Sequence, residues 1–414
     1  MRILLANHTG AWSGGEVSLM RLVAGLREDH AIAIACPDEG RLAREVDAAG
    51  VERLSIPAVD ASLRLHPIQT PAGMRQLGAG GAALARVAKR FGAEVVHANT
   101  PRVGIMAGLG LRRAGPPFVV RAHEHLPPSK LGRTIRSLIV RTAGGVAAVS
   151  DFTANRFNEG LPRPVATRVY NSIDQARFNP DRVRPAPIRE ELGLGEDTRL
   201  IGQIAQITPW KAQDVSIRTL AGLRAQGIDV HLLLVGQVAF GGKRVRFDNH
   251  AFLDSLERLV DELGVRHAVH FLGQRNDVPE IMRALDLTLL PSWEEPFGLV
   301  TVESMALGTP PLVSDAGAGP ELVVHGATGM LVAPKRPELW AAAAAELLGD
   351  PVRLGLMGER CRPATARFRD DTQAAEMVAV YEHALGRQPS QTPQPPVSAA
   401  TGQADQRVGA PWPS

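Results

Sequence analysis

The nine residues Glu295-Pro296-Phe297-Gly298-Leu299-Val300-Thr301-Val302-Glu303 constrain this chain more than any other stretch. An apolar strand, Leu287-Thr288-Leu289-Leu290-Pro291, leads into them. The pattern predicts a helix out of them to about Leu307, stopped by Gly308 with Pro310 and Pro311 beyond. Pro296 and Gly298 open the turn sterically and let backbone N–H groups face outward. The first N–H groups of a helix lack internal partners and carry roughly half a positive charge, so a phosphate is a natural ligand there. Two carboxylates bracket that end. Glu303 lies four residues from both Leu299 and Leu307, on the apolar stripe of its own helix. A buried carboxylate needs partners. Mostly helical rise sets the two acids roughly 10 Å apart, similar to the span of a sugar-nucleotide from sugar to ribose. One acid can then reach a sugar, the helix end a diphosphate, and the other acid ribose hydroxyls. The plainer reading is a strand–loop–helix unit with one surface Glu and one capping Glu.

The rest of the chain alternates in the same way. Strand-like Ile3–Ala6, Ala31–Cys36, Glu94–His97, Phe118–His125 and Val146–Ser150 are separated by helical spans such as Val17–Leu26, Arg41–Ala49, Gly81–Phe91 and Lys130–Arg141. Residues 57–80 read as irregular. A Pro-containing linker over 179–198 is followed by further strands at Leu200–Ala205, Val230–Val235, Val269–Gly273 and Leu312–Asp315. Strands alternating with helices imply parallel sheets, and the C-terminal ends of such strands line ligand crevices. A chain of 414 residues is long enough for two such domains.

The opening stretch resembles the Glu-x7-Glu motif of the family-4 retaining glycosyltransferases, in the Glu-Pro-Phe-Gly-Leu form that family often shows. The resemblance spans almost all of residues 1–385 and is strongest over 200–332. It implies an α/β fold of the GT-B type, two Rossmann-like domains with parallel sheets facing across a cleft. The boundaries expected from it are an acceptor-binding domain over 1–180 and a nucleotide-sugar-binding domain over 181–370. A C-terminal helix over 371–386 would pack back on the first domain, and a Pro-, Ser- and Gln-rich tail over 387–414 is expected to be disordered.

The implied activity is transfer of a sugar from a nucleotide-sugar donor to a hydroxyl acceptor with retained anomeric configuration. UDP is the expected nucleotide by family frequency, and the acceptor is unidentified. The resemblance assigns catalytic roles to His123, Lys211 and Glu295. His123 ends a strand in the run His123-Glu124-His125 and would sit beside the transferred sugar. Substrate-binding roles fall to Gly14, Gly15, Asn171, Gln206, Gln274, Arg275, Phe297, Gly298, Leu299 and Glu303. The pair Gly14-Gly15 would approach the donor diphosphate or leave room for the acceptor. Asn171 belongs to the Tyr170-Asn171-Ser172-Ile173-Asp174 segment that resembles the end of the family's first domain.

One departure is specific. Where the family has Gly-Arg-Leu and then Lys-Gly, this chain has Ala205-Gln206-Ile207 and then Lys211-Ala212. Losing the arginine removes a charge-assisted diphosphate contact, about 1.5–3 kcal/mol. Lys211 then carries more of the burden, or Arg275 substitutes. Lysine occurs only five times in the chain, which otherwise uses arginine as its cation; a compact point charge at 211 fits a phosphate. The turn Gln274-Arg275-Asn276-Asp277 is where relatives read the nucleotide base, and His325–Val332 matches the family's closing hairpin.

Other function classes are disfavoured. A net charge of +3 is small for this length and does not argue for nucleic acid. Cys36 and Cys361 are far apart and read as free thiols, and no metal-spaced cluster occurs, so a metal-independent enzyme without a cofactor is expected. There is no Gly-x-Gly-x-x-Gly fingerprint for a nicotinamide enzyme. No run resembles a signal peptide or a membrane span, so a cytoplasmic protein is expected. Lys130–Arg141 forms a basic amphipathic pattern. A core-facing helix with a solvated basic side is the plainer reading, and peripheral contact with anionic lipid at the inner membrane face is the alternative. Two rival activities share the expected fold: a sugar-nucleotide epimerase, and a non-catalytic nucleotide-sugar binder, which Gln206 favours.

Overall fold

The computed structural model describes residues 1–60, 69–111, 115–124, 126, 129–238 and 247–388. His125 and most of the expected disordered tail lie outside the described residues. The first half alternates as β1 (Arg2–Ala6), α1 (Gly14–Leu26), β2 (Ala31–Cys36), α2 (Arg41–Ala48), β3 (Glu52–Ser55), α3 (Gln69–Phe91), β4 (Val95–Ala98), α4 (Pro101–Gly110), β5 (Phe118–Ala122), α5 (Lys130–Thr142), β6 (Gly145–Ala148), α6 (Asp151–Asn158) and β7 (Ala166–Arg168). Its strands form a seven-stranded sheet in the order β3-β2-β1-β4-β5-β6-β7, and every pair is parallel.

The second half runs α7 (Ile188–Glu191), β8 (Arg199–Ile204), α8 (Gln213–Ala225), β9 (Val230–Val235), α9 (Asn249–Glu262), β10 (Val269–Gly273), α10 (Val278–Ala284), β11 (Leu287–Leu290), α11 (Leu299–Ala306), β12 (Pro311–Ser314), α12 (Gly319–Leu322) and β13 (Met330–Val332). A six-stranded parallel sheet results, ordered β10-β9-β8-β11-β12-β13. Helices α13 (Pro337–Leu348), α14 (Pro351–Ala364) and α15 (Asp370–Ala384) follow. The architecture is the expected pair of α/β domains. No helix among the described residues is long and apolar enough to cross a membrane.

Both faces of the first sheet are covered, which is why its strands are nearly continuous apolar runs. Leu4, Ala6, Val96 and Val120 face one core with α3, α4 and α5. Ile3, Leu5, Val95 and Val119 face the other, where Leu19 and Leu22 of α1 meet Met377 and Tyr381 of α15. Arg21 of α1 ties this assembly, with Asp174 Oδ2 at 2.7 Å and Asp370 Oδ1 at 3.1 Å from its guanidinium.

Two sequence expectations need correction. Helix α3 begins at Gln69, inside the stretch read as irregular. Its middle turns carry Gly78, Gly80 and Gly81, which blur the helical period, and Gly81 is needed for the crossing with α4. A Cβ on Gly81 would lie 2.6 Å from the Met106 carbonyl oxygen, and one on Gly110 would lie 2.0 Å from that of Gly81. The segment His325–Val332 is not an antiparallel hairpin. A tight turn, closed by Gly326 N–H to the Gly329 carbonyl at 2.8 Å, delivers β13 parallel to β12.

Candidate active site

In each sheet the strand order reverses once, between β1 and β4 and between β8 and β11. At such a reversal the loops leaving the two central strands diverge and leave a crevice at their C-terminal ends. In the second sheet these are the loop from β8, which carries Lys211, and the loop from β11, which carries Glu295.

The β8 loop tightens into a short 3₁₀ turn, Pro209–Lys211, and Ala212 takes a left-handed conformation (φ 55°) before α8. This turn projects Lys211 over the Trp210 ring, 4.1 Å from Nζ to centroid. Trp293 N–H donates to the Trp210 carbonyl at 2.9 Å and so locks the two loops together. Lys211 Nζ then donates to Glu295 Oε2 at 2.6 Å, and Ser292 Oγ donates to the same oxygen at 2.9 Å. The ion pair is largely buried, with side-chain exposures of 17% and 12%.

The Glu295 backbone is fixed from the other side. It bridges to Gly317, and Ala318 N–H donates to its carbonyl at 2.8 Å. Gly317 sits at φ +74°, and a Cβ there would fall 2.3 Å from the Glu295 carbonyl oxygen. Gly298, at φ 93°, begins α11 with no side-chain cap. The first amides of that helix therefore have no capping side chain. In the first turn, Thr301 Oγ1 is buried without a hydrogen-bond partner. Glu303, two residues further on, is half-buried, and its carboxylate makes no hydrogen bond or ion pair among the described residues. Burial pushes its carboxyl up to about 7, against the attraction of Arg177.

The first sheet brings a second polar cluster to its own reversal. His123 Nε2 lies 3.0 Å from Asn99 Oδ1. Asn99 Nδ2 reaches Asn7 Oδ1 and the Gly15 carbonyl, both at 3.4 Å. Asn7 Nδ2 donates to Glu16 Oε1 at 3.0 Å, and Glu16 Oε2 accepts from the Ser13 amide at 2.9 Å and its hydroxyl at 2.7 Å. With Asn99 accepting, Nε2 carries the proton of the neutral ring. Burial first, then the Arg121 charge and His97, hold the His123 pKa well below the usual imidazole range.

The two domains meet across these edges. A Cβ on Gly14 would lie 3.6 Å from Leu299 Cδ1, and one on Gly15 would lie 3.7 Å from the His123 ring. Ser150 Oγ donates to the Pro296 carbonyl at 2.6 Å. Glu321 accepts from the Asp151 and Phe152 amides, both at 2.7 Å, at the start of α6. Lys211, Glu295, Gly298, Leu299, Gly14, Gly15 and His123 are therefore gathered about one junction.

Five expected site residues are engaged within the protein. Asn171 is buried, its Oδ1 accepting from Ser18 Oγ and Arg121 Nη2, both at 2.7 Å. The Phe297 ring packs on Tyr170 and Phe368, at 5.9 and 5.8 Å between centroids. Arg275 is held by Asp277, at 2.8 and 2.7 Å, and by Glu191, so its charge is already matched. Gln274 is exposed and accepts from Gln237 Nε2 at 2.7 Å. Gln206 is engaged through its backbone, its carbonyl accepting from Gln213 Nε2 at 2.8 Å. Sequence reasoning missed Asn7, Glu16, Asn99 and Arg121. The available signal was a charged residue, Arg121, inside an otherwise apolar strand.

Comparison with known proteins finds glycosyltransferases. Residues 12–177 match the family model described as Glycosyltransferase Family 4, and residues 186–366 match that described as Glycosyl transferases group 1. A D-inositol 3-phosphate glycosyltransferase of Thermobispora bispora is 36% identical over 209 residues, 49% of this chain and 48% of the relative. Another, of Stackebrandtia nassauensis, is 28% identical over 318 residues, 71% of this chain and 69% of the relative. Over the first of these relatives the match thus spans about half of their length. The crystal structure of Anabaena HepE in complex with UDP and glucose has a TM-score of 0.76 and 25% identity, covering 91% of this chain and 98% of that one.

Proposed function

The two halves of the chain belong to the glycosyltransferases, Family 4 in front and group 1 behind, and from that premise we propose that the protein moves a sugar from a UDP-sugar to a hydroxyl acceptor with retention of anomeric configuration. The observation that carries the reading is the Lys211–Glu295 pair, 2.6 Å apart beside the uncapped start of α11.

Negative charge builds on the departing diphosphate as the glycosidic bond breaks. Fixed positive groups placed where that charge develops lower the barrier without reorganising. The Lys211 ammonium and the first amides of α11 are such groups. On donor binding the ammonium turns toward the diphosphate, and Glu295 is released to accept from sugar hydroxyls. Glu303 accepts from the ribose hydroxyls. Neutral His123, approaching from the first domain, hydrogen-bonds the transferred sugar. The leaving phosphate takes the acceptor's proton. UDP is supported by the complex of HepE, and a phosphorylated cyclitol is the first acceptor to try because the curated relatives are named for one. Exposed Lys130, Arg133 and Arg141 on α5 support peripheral contact with anionic lipid.

The test is a panel of UDP-, GDP- and ADP-sugars screened by thermal stabilisation, followed by transfer assays with NMR of the product anomer. A UDP-sugar at a hundredfold over its Kd is expected to add about 2.7 kcal/mol to stability. Sugar should appear on the acceptor with the donor's configuration. Epimerised donor without acceptor, or tight binding with no donor breakdown, would replace this reading by one of its rivals.

A further inference from the structure

Arg121 is the one arginine among the largest fully buried side chains of the described residues, at 1% exposure. Its guanidinium donates to Asn171 Oδ1 at 2.7 Å and reaches Met377 Sδ at 3.8 Å. No described carboxylate forms a salt bridge with it. A buried cation without an anion is expensive to keep, and a methionine would fill such a place more stably. The cost points to a use for the charge.

Its position supplies one. Phe118, Val120 and Ala122 of β5 face the core under α3 to α5, while Val119 faces the opposite core under α1 and α15. Alternation puts Arg121 and then His123 on that second face. The β4 register, His97 beside Val119 and Ala98 beside Val120, puts His97 and Asn99 on the same face. The groups around the two imidazoles are therefore Arg121 on β5, Asn99 on β4, Asn7 and Glu16 from the β1–α1 turn, Tyr381 and Glu376 on α15, and Glu124 next in the chain. His97 Nδ1 is 2.7 Å from the Tyr381 hydroxyl, and its Nε2 is buried without a partner. Of the acids among these groups, Glu16 is bonded to Asn7 and Ser13, Glu376 pairs with Arg168 at 3.7 Å and acts on Arg121 only through its charge, and Glu124 is exposed.

We propose that Arg121 is a positioning residue, an unneutralised buried charge one strand repeat beneath His123 that keeps the cleft imidazole uncharged and in its Nε2–H form. His123 then stays bonded to Asn99 and offers Nδ1 to the cleft across the whole physiological pH range. Arg121 contributes this after burial, the larger cause of the lowered His123 and His97 pKa values, with His97 brought to about 3. The inference rests on the proposed function, in which His123 faces the transferred sugar.

The test uses the full chain and reads imidazole nitrogens by NMR across pH 5–8, with His123→Ala for assignment. Asn171→Asp is the informative variant. It keeps the acceptor oxygen for Ser18 and Arg121 and puts a carboxylate in place of the neutral amide. A unit charge about 7 Å away at an effective dielectric of about 20 alters the imidazole protonation constant about fiftyfold. In wild type, His123 should remain neutral as the Nε2–H tautomer. In Asn171→Asp, and in Arg121→Met if it folds, protonation should rise by about that factor, and kcat/KM should gain an acid limb. A wild-type His123 that protonates near pH 6.5, or an Asn171→Asp spectrum identical to wild type, would overturn the proposal. The nitrogen signals do not depend on turnover. Failure to find transfer in wild type would therefore count against the function alone.

Discussion

Removing the Lys211 amine tests the centre of the mechanism, because the structure separates what that amine does for stability from what it does for chemistry. In Lys211→Ala, Glu295 keeps Ser292 Oγ, at 2.9 Å, as its hydrogen-bond donor. The carboxylate is 12% exposed. Breaking a fully buried pair costs about 3–5 kcal/mol and an exposed one about 0–1. The partial exposure puts this case near 2 kcal/mol. For a domain of this size that lowers Tm by about 4–8 °C. Adding Glu295→Gln removes the stranded charge, so the double variant should recover at least half of the lost stability. Activity should behave differently. One charge-assisted contact to the departing diphosphate is about 1.5–3 kcal/mol. The single variant should therefore lose roughly ten- to a hundredfold in kcat/KM, and the double variant should recover none of it. The assays are thermal melts and initial rates on all four members of the cycle. If turnover returned together with stability in the double variant, Lys211 would be a strut for the Glu295 loop, and the electrostatic argument would be wrong.

Two further outcomes follow from single groups. Glu303 has its carboxyl pushed up to about 7 in the free protein, and ribose hydroxyls need the ionised form. Nucleotide affinity, measured by calorimetry, should fall as pH drops below about 7, by up to tenfold per unit, and Glu303→Gln should bind more weakly with no such slope. The same shift has a stability sign: an acid whose folded pKa exceeds its unfolded one disfavours folding increasingly from about pH 4.5 to 7. Glu303→Gln should therefore gain Tm over wild type across that window. Glu321 accepts two α6 amides and the Tyr170 hydroxyl, the last at 3.2 Å, across the domain junction. An anion at a helix start is favourable, so Glu321→Ala should speed hydrogen exchange at residues 151–153 about tenfold, for about 1.4 kcal/mol lost; unchanged exchange would show that other contacts hold the junction.

The second domain was far more legible in the sequence than the first. Its site is built by local chemistry. A strand runs into Glu295, Pro296 and Gly298, and a helix follows within a few residues, so spacing alone places the acids and the amide end. Lys211 was visible as a rare lysine at a strand exit. What spacing could not show there is which side chains are engaged by tertiary partners. Arg275 looked like a spare cation, but Asp277 and Glu191 take its charge. Phe297 looked like a cleft residue, but its ring joins Tyr170 and Phe368. Helix α4 was unread because it is apolar nearly all round, which gives no amphipathic period, and the first half of α3, residues 69–80, because glycines interrupt its period where it crosses α4.

The cleft side of the first domain has no local motif at all. Asn7, Asn99 and His123 come from three strand ends, brought together by sheet register, and Tyr381 reaches His97 from a helix 284 residues away in the chain. A single polar residue at each strand end carries little information by itself. The collective signal is that β4 and β5 keep apolar residues on one face and place His97, Asn99, Arg121 and His123 on the other. Reading it requires knowing which strands are neighbours, and parallel sheets conceal that because adjacent strands are separated by whole helices. The same dependence explains why α15 packs on the first sheet although it follows the second in the chain. It supplies the roof over a polar row that would otherwise be wet. Tyr381 and Met377 close over His97 and Arg121 there, and burial is the first cause that brings the His97 pKa down to about 3.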